Sequence, residues 1–252
     1  STAPAIIADR SGSYIEFRKI TWSNGVASLS GATSVAIPGV NGLPSKGVQP
    51  GSNAEYLDSG DGRLNNVTIT NASTYLWTLV PTTLNNHAAA IWTQINLVNY
   101  TVVQAGQLGD ANGDILYPSI AANDNGDAVM GYTKVSATLF ASVYVNGRLA
   151  TDAPGSLEGE VLVHAGSATY SDGGGAGATA RWGDYSATLV DPSNANQFWT
   201  YQEYAPSAST YQFGTYWGMV TLTSTIATAP AAPSGLTASA ASASQINLAW
   251  KD

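Results

Sequence analysis

Apolar and polar residues alternate with a period of two over most of the chain, the pattern of strands that bury one face. Leu64-Asn-Asn-Val-Thr-Ile-Thr, the turn Asn71-Ala-Ser and Tyr75-Leu-Trp-Thr-Leu-Val predict a hairpin, followed by strands at Ala90-Ile-Trp-Thr-Gln-Ile and Tyr100-Thr-Val-Val-Gln-Ala-Gly. A second unit reads Tyr117-Pro-Ser-Ile-Ala-Ala, the turn Asn123-Asp-Asn-Gly, then Ala128-Val-Met-Gly-Tyr-Thr, Leu139-Phe-Ala-Ser-Val-Tyr-Val and Val161-Leu-Val-His-Ala-Gly. A third has Asp184-Tyr-Ser-Ala-Thr-Leu-Val, the turn Asp191-Pro-Ser-Asn, Phe198-Trp-Thr-Tyr-Gln-Glu-Tyr and Gly214-Thr-Tyr-Trp-Gly-Met-Val. Ahead of them, Ser13-Tyr-Ile-Glu-Phe-Arg-Lys-Ile and Ser34-Val-Ala-Ile-Pro-Gly read as the last two strands of an earlier unit.

The closing strands of the first two units end at Gly106 and Gly166, a period of about sixty residues. Four antiparallel strands per period, joined by tight turns, predict an all-β protein of β-propeller blades. One such sheet has two apolar faces, and stacking against its neighbours buries both. Three to four four-stranded blades lie in this chain, so the expectation is a partial propeller completed by a missing N-terminal segment. A two-sheet β-sandwich is the alternative.

Residues 1–226 are assigned to the blades. Ala229-Pro-Ala-Ala-Pro-Ser-Gly then marks a Pro/Ala/Ser linker over 227–235. Residues 236–252, ending in Gln245-Ile-Asn-Leu-Ala-Trp-Lys-Asp, resemble the opening strands of a fibronectin type III module, with Trp250 as its core tryptophan.

Composition narrows the function classes. Charged residues make up 10% of the 252 and the net charge is −8, so the basic footprint of a nucleic-acid binder is missing. No apolar run approaches the roughly 20 residues of a membrane-spanning helix. Without cysteine, the chain has no thiolate nucleophile and no Cys-ligated zinc. The only two histidines, His87 and His164, argue against a multi-histidine metal site; His87 reads as a loop residue and His164 as a structural strand residue. The Ser/Thr/Asn/Gly surface and 13 tyrosines fit a secreted, extracellular bacterial protein, and Ser1-Thr-Ala-Pro reads as the start of a mature or trimmed product.

Leu57-Asp-Ser-Gly-Asp-Gly-Arg-Leu64, Tyr117-Pro-Ser-Ile-Ala-Ala and Arg181-Trp-Gly-Asp-Tyr-Ser-Ala, with Asp191-Pro and Phe198-Trp-Thr-Tyr-Gln-Glu-Tyr, resemble a family of bacterial exported, sialidase-like propellers that often carry fibronectin type III modules. The resemblance spans residues 14–224. For sialidases it implies an arginine triad, a Tyr/Glu nucleophile pair, an acid/base carboxyl and Ser-x-Asp-x-Gly-x-Thr-Trp turns. Ser193-Asn-Ala-Asn-Gln-Phe-Trp199 is a degenerate version of that turn, and the arginines are Arg10, Arg18, Arg63, Arg148 and Arg181.

Two segments leading into first strands carry the densest chemistry. In Arg181-Trp182-Gly183-Asp184-Tyr185, Arg181 can fork onto a carboxylate or sulfate and Trp182 can stack on a sugar face. Alternatively Arg181 and Asp184 pair, and Trp182 packs between blades. In Asp58-Ser-Gly-Asp61-Gly-Arg63, Arg63 can join Arg181 at the axial channel, or Asp61 can cap a turn that Arg63 braces. Glu203, between aromatic residues, is a candidate general acid whose pKa burial would raise, with Asp184 and Tyr185 as catalytic companions. Otherwise Glu203 faces solvent or holds an arginine. Asp110-Ala-Asn112-Gly-Asp114 has the oxygen-ligand spacing of a calcium loop and equally that of a hairpin turn; no other cofactor is indicated. Asp172-Gly-Gly-Gly-Ala-Gly reads as a flexible insertion beside Arg181, and as a candidate lid.

Three functions fit these features. The first is a carbohydrate-binding or scaffold propeller whose partner is a glycan or polysaccharide. The second is a sialidase-like glycoside hydrolase with part of its site in missing blades. The third is a structural or adhesion module without a small-molecule site.

Overall fold

The computed structural model describes residues 5–64, 66–184, 186–223 and 234–251. Every regular element among them is a β-strand. Two compact units divide the chain, residues 1–222 and 223–252.

The larger unit is a run of antiparallel sheets in chain order. The first pairs β1 (Ala5–Ser11) with β2 (Tyr14–Ser23), and β3 (Val26–Leu29) and β4 (Thr33–Ala36) lie along the other side of β2. The sequence predicts only β2 and β4. β1 adds an inner row of Ile6 and Ala8, while β3 is exposed along its whole length and shows no alternation to read. It forms because Asn24 and Gly25 both take left-handed backbone, the hairpin turn that matches strand twist.

The second sheet is β6 (Val67–Thr70), β7 (Tyr75–Leu84), β8 (His87–Asn96) and β9 (Thr101–Leu108) in that order. Asn85 and Asn86, both at positive φ, make the two-residue turn from β7 to β8. The third repeats the order with β10 (Asp114–Ala122), β11 (Ala128–Ser136), β12 (Leu139–Arg148) and β13 (Glu160–His164). A fourth, three-stranded sheet holds β15 (Ala187–Asp191), β16 (Asn194–Tyr204) and β17 (Gly214–Thr221).

Each sheet covers the next. Ile15, Phe17 and Val35 of the first pack on Leu76, Val80, Ile91 and Ile95 of the second. The opposite face of the second, Trp77, Leu79, Ala90 and Trp92, packs on Ile120, Ala128, Met130 and Tyr132 of the third. The third meets the fourth through Ala121, Val129 and Phe198, beside a buried polar set of Ser119, Thr188, Thr200 and Gln202. Strands β10 and β11 are therefore buried at every position, which explains why their apolar runs are continuous.

The first strands lie side by side. Ser186 and Thr188 contact Tyr117 and Ser119, and Asn66 and Asn71 contact Ile120 and Asp124. In both pairs the partner numbers rise together, so β6, β10 and β15 run parallel. Their contacts are side-chain hydrogen bonds rather than a ladder. No closed barrel or ring of sheets forms among the described residues.

The smaller unit contains an antiparallel hairpin of β18 (Ser234–Ser242) and β19 (Gln245–Lys251). Most of the predicted linker, and the Trp250 side chain, lie outside the described residues.

Candidate functional site

Two long segments, 38–66 before β6 and 165–186 before β15, meet in a two-strand parallel bridge. β5 (Tyr56–Leu57) pairs with β14 (Thr179–Ala180), extended by Tyr56 N donating to Ala178 O at 2.8 Å and Asp58 N to Ala180 O at 2.9 Å. Leu57 anchors the bridge in a cluster with Leu116, Tyr170, Ala180 and Trp182. Immediately after it, the two chains diverge around Tyr117 and enclose an open cavity of about 640 Å³. Asp58, Asp61 and Arg63 form one wall, Arg181 and Asp184 the other. Four residues singled out from the sequence, Asp61, Arg63, Arg181 and Asp184, thus line one cavity.

Tyr117 is the hinge of this arrangement. The register of β10 shifts between Leu116 and Ser119, and Tyr117 takes a φ of 43°, rare for a bulky residue and strained. Its hydroxyl donates to Asp58 Oδ2 at 3.1 Å. Burial, then the charges of Asp58 and Asp184, push the phenol far above its ordinary pKa, so it is a hydrogen-bond donor at any physiological pH. Gly183 lies against the ring. It has φ +67°, and a Cβ there would stand 2.7 Å from Tyr117 Cδ2, so only glycine fits.

Both arginines are paired but open to solvent. Arg63 Nε meets Asp61 Oδ2 at 2.7 Å, which lowers the Asp61 pKa and raises that of Arg63. Arg181 Nη2 lies 3.6 Å from Asp184 Oδ2, with 87% of the arginine side chain exposed. Such exposed pairs, screened by solvent, contribute little to stability and leave the guanidinium groups accessible to a ligand.

A smaller recess of about 160 Å³ adjoins, sharing Arg181 and Asp184 and lined also by Tyr170, Trp182, Glu203 and Phe213. Glu203 is 5% exposed and accepts from Gly183 N at 3.0 Å. Burial raises its pKa, the Gly183 bond opposes the rise and the Asp184 charge adds to it. Trp182 is 3% exposed, edge-on to Tyr170 at 5.0 Å, with no protein partner for its indole N–H. Its ring belongs to the core beneath the recess, the packing reading rather than a free stacking platform. Tyr185 lies outside the described residues.

Asp110, Asn112 and Asp114 do not line the cavity. Asp110 accepts from Asn112 N at 2.6 Å and pairs with Lys134 Nζ at 2.7 Å. Asp114 is buried and accepts from Val48 N, Ala88 N and His87 Nδ1. The same lysine ammonium pairs with Glu160. Among the described residues no group of three or more His, Cys, Asp or Glu is placed to hold a metal. His164 is a packing residue, stacked on Tyr216 at 4.2 Å and edge-on to Tyr204.

Tyr117 was not legible as a site residue, although Pro118 inside an apolar strand signals a bulge that re-aims a neighbour. Together the cavity offers three carboxylates, two guanidinium groups and a phenol, a dense set of donors and acceptors around a polar floor. No protein-family model matches the chain, and no curated protein matches it.

Proposed function

We propose that this chain is an extracellular glycan-binding protein built on part of a β-propeller. The observation that carries the reading is the convergence of Asp58, Asp61, Arg63, Tyr117, Arg181 and Asp184 on one cavity. Alternating donors and acceptors at exposed positions suit the hydroxyls of a sugar. Three carboxylates against two arginines, each arginine already facing an aspartate, favour a neutral sugar over an anionic one.

The propeller reading is supported by successive antiparallel sheets that cover one another, by the parallel first strands, and by an apolar outward face on the fourth sheet. A further blade from a preceding segment of the same protein would sit there. The β18–β19 hairpin is in keeping with the opening of a fibronectin type III module.

Titrating cello-, xylo- and manno-oligosaccharides against the protein by calorimetry tests the binding reading. Binding that weakens at least tenfold in Arg181→Ala and Asp58→Ala is expected; no binding, or binding indifferent to both, overturns it. The raised Glu203 beside Asp184 favours a second reading, glycoside hydrolysis. It requires turnover of nitrophenyl glycosides that Glu203→Gln abolishes.

A further inference from the structure

Between the cavity and the glycine-rich stretch lies a carboxylate that neither wall uses. Glu55 stands one residue ahead of β5 and is 4% exposed. One of its oxygens accepts from Ser171 Oγ at 3.0 Å and Gly175 N at 2.7 Å, and the other from Asp172 N at 2.9 Å. Beside it, Gln49 Nε2 donates to the carbonyls of Glu55 and Tyr170, and Gln49 Oε1 accepts from Tyr170 N. The segment that reads as a loose insertion in the sequence is therefore wrapped around one buried acid. Burial alone raises a carboxyl, but here the donors from Asp172, Gly175 and Ser171 outweigh it and hold Glu55 below the ordinary carboxylate range.

The wrapping has a direction. With its backbone N–H on Glu55, Asp172 reaches forward along the chain with its own carboxylate, where Oδ2 accepts from Arg181 N at 2.9 Å. Arg181 opens the cavity wall that continues through Gly183, against the Tyr117 ring, to Asp184. The relay thus runs from Glu55 through Asp172 to the backbone of Arg181. The bridge of β5 and β14 has only two residues per strand, too few to hold two long segments in register unaided.

We propose that Glu55 is the positioning residue of the cavity: its carboxylate clasps Ser171–Gly175 and, through Asp172, sets the Arg181–Asp184 wall opposite Asp58–Arg63. Its role as a determinant of sugar affinity rests on the glycan reading, but the clasp itself does not. Glu55 touches no ligand in this scheme and acts only through Asp172 and Arg181. Glutamine would keep one acceptor and face the remaining donors with an amide, and alanine would release all three.

Hydrogen exchange followed by mass spectrometry separates the clasp from a merely structural role. In Glu55→Ala, exchange across residues 171–183 is expected to accelerate at least tenfold while β7, β8 and β11 keep their native protection. Glu55→Gln should fall between alanine and the native protein. Ser171→Ala, which removes one of the three donors to Glu55 together with the acceptor of Gly173 N, should shift the same segment in the same direction by a smaller factor. Unchanged exchange in 171–183, or equal acceleration in every strand, overturns the proposal. If the segment loosens in Glu55→Ala and the oligosaccharides that bind the native protein bind at least tenfold more weakly, both readings stand. Failure of every oligosaccharide to bind the native protein removes the glycan reading, and the exchange data still decide the clasp.

Discussion

The outward faces of the second and fourth sheets are built alike and end up in opposite environments. In the second, Trp77 and Trp92 stack at 6.1 Å with 15° between their planes, both fully buried beneath the third sheet. In the fourth, Trp199 and Trp217 lie 5.3 Å apart at 35°, on a face with Leu189, Tyr201 and Met219. There Trp217 is 65% exposed and Met219 52%. Alternation writes the same apolar row into both strand sets. What differs is whether a neighbouring sheet lies over it. Covering one tryptophan exposed to this degree is worth roughly 3 kcal/mol, so the bare face is a reservoir of unused stabilisation.

The sharpest way to break this comparison is to remove one ring from each face. Trp92→Ala is expected to cost about 3–5 kcal/mol in urea denaturation, because it opens a cavity between the second and third sheets and removes the ring beneath the Arg148 guanidinium. A loss below about 1 kcal/mol would mean that this interface does not carry the fold. Trp217→Ala is expected to stay within about 0.5 kcal/mol of the parent in the same assay, and to reduce binding of an apolar dye such as ANS. A large destabilisation there would show that the outward face is already covered.

The smallest effect sharpens the comparison at the rim of the bare face. Asp191 accepts from Ser193 N, Ser193 Oγ and, at 2.7 Å, Trp199 Nε1. The Ser193 hydroxyl, then Trp199, lower its carboxyl pKa from 3.8 to about 2. A depressed folded-state pKa stabilises the fold above the unfolded value, and that contribution is lost as pH falls through about 2. Between pH 4 and pH 2, the native protein should therefore show a weak acid-dependent loss of stability and a change in tryptophan emission, both reduced in Asp191→Asn. An identical acid profile in the variant would separate Asp191 from Trp199.

Much of this architecture is legible in the sequence, because its strands are long enough to show their period and their turns carry the residues that left-handed backbone requires. Asn71 opens such a turn; Asn85-Asn86 and Asn24-Gly25 take the same backbone but are not among the turns read from the sequence. β3, β5 and β14 escape, since an exposed strand or a two-residue bridge has no alternation to display. The cavity is half legible. Asp61, Arg63, Arg181 and Asp184 stand out as charges in a chain that is only 10% charged. Tyr117 and Glu55 do not, because their roles come from partners far away in sequence: Asp58 lies 59 residues from Tyr117, and Ser171 lies 116 from Glu55. Asp110 and Asp114 have a ligand-like spacing, and their oxygens face Lys134, His87 and backbone amides.

The bridge between β5 and β14 also sets a timetable. Gln49 and Tyr170, which flank it, are 121 residues apart, whereas the strands of each meander are joined by connections of two to eleven residues. Closing so long a loop is slow and entropically late, so the sheets will assemble first and the binding walls will meet only near the end of folding. A nascent or nicked chain can therefore look native by its strand content and still lack a working cavity, which makes ligand capture a more stringent reporter of complete folding than circular dichroism.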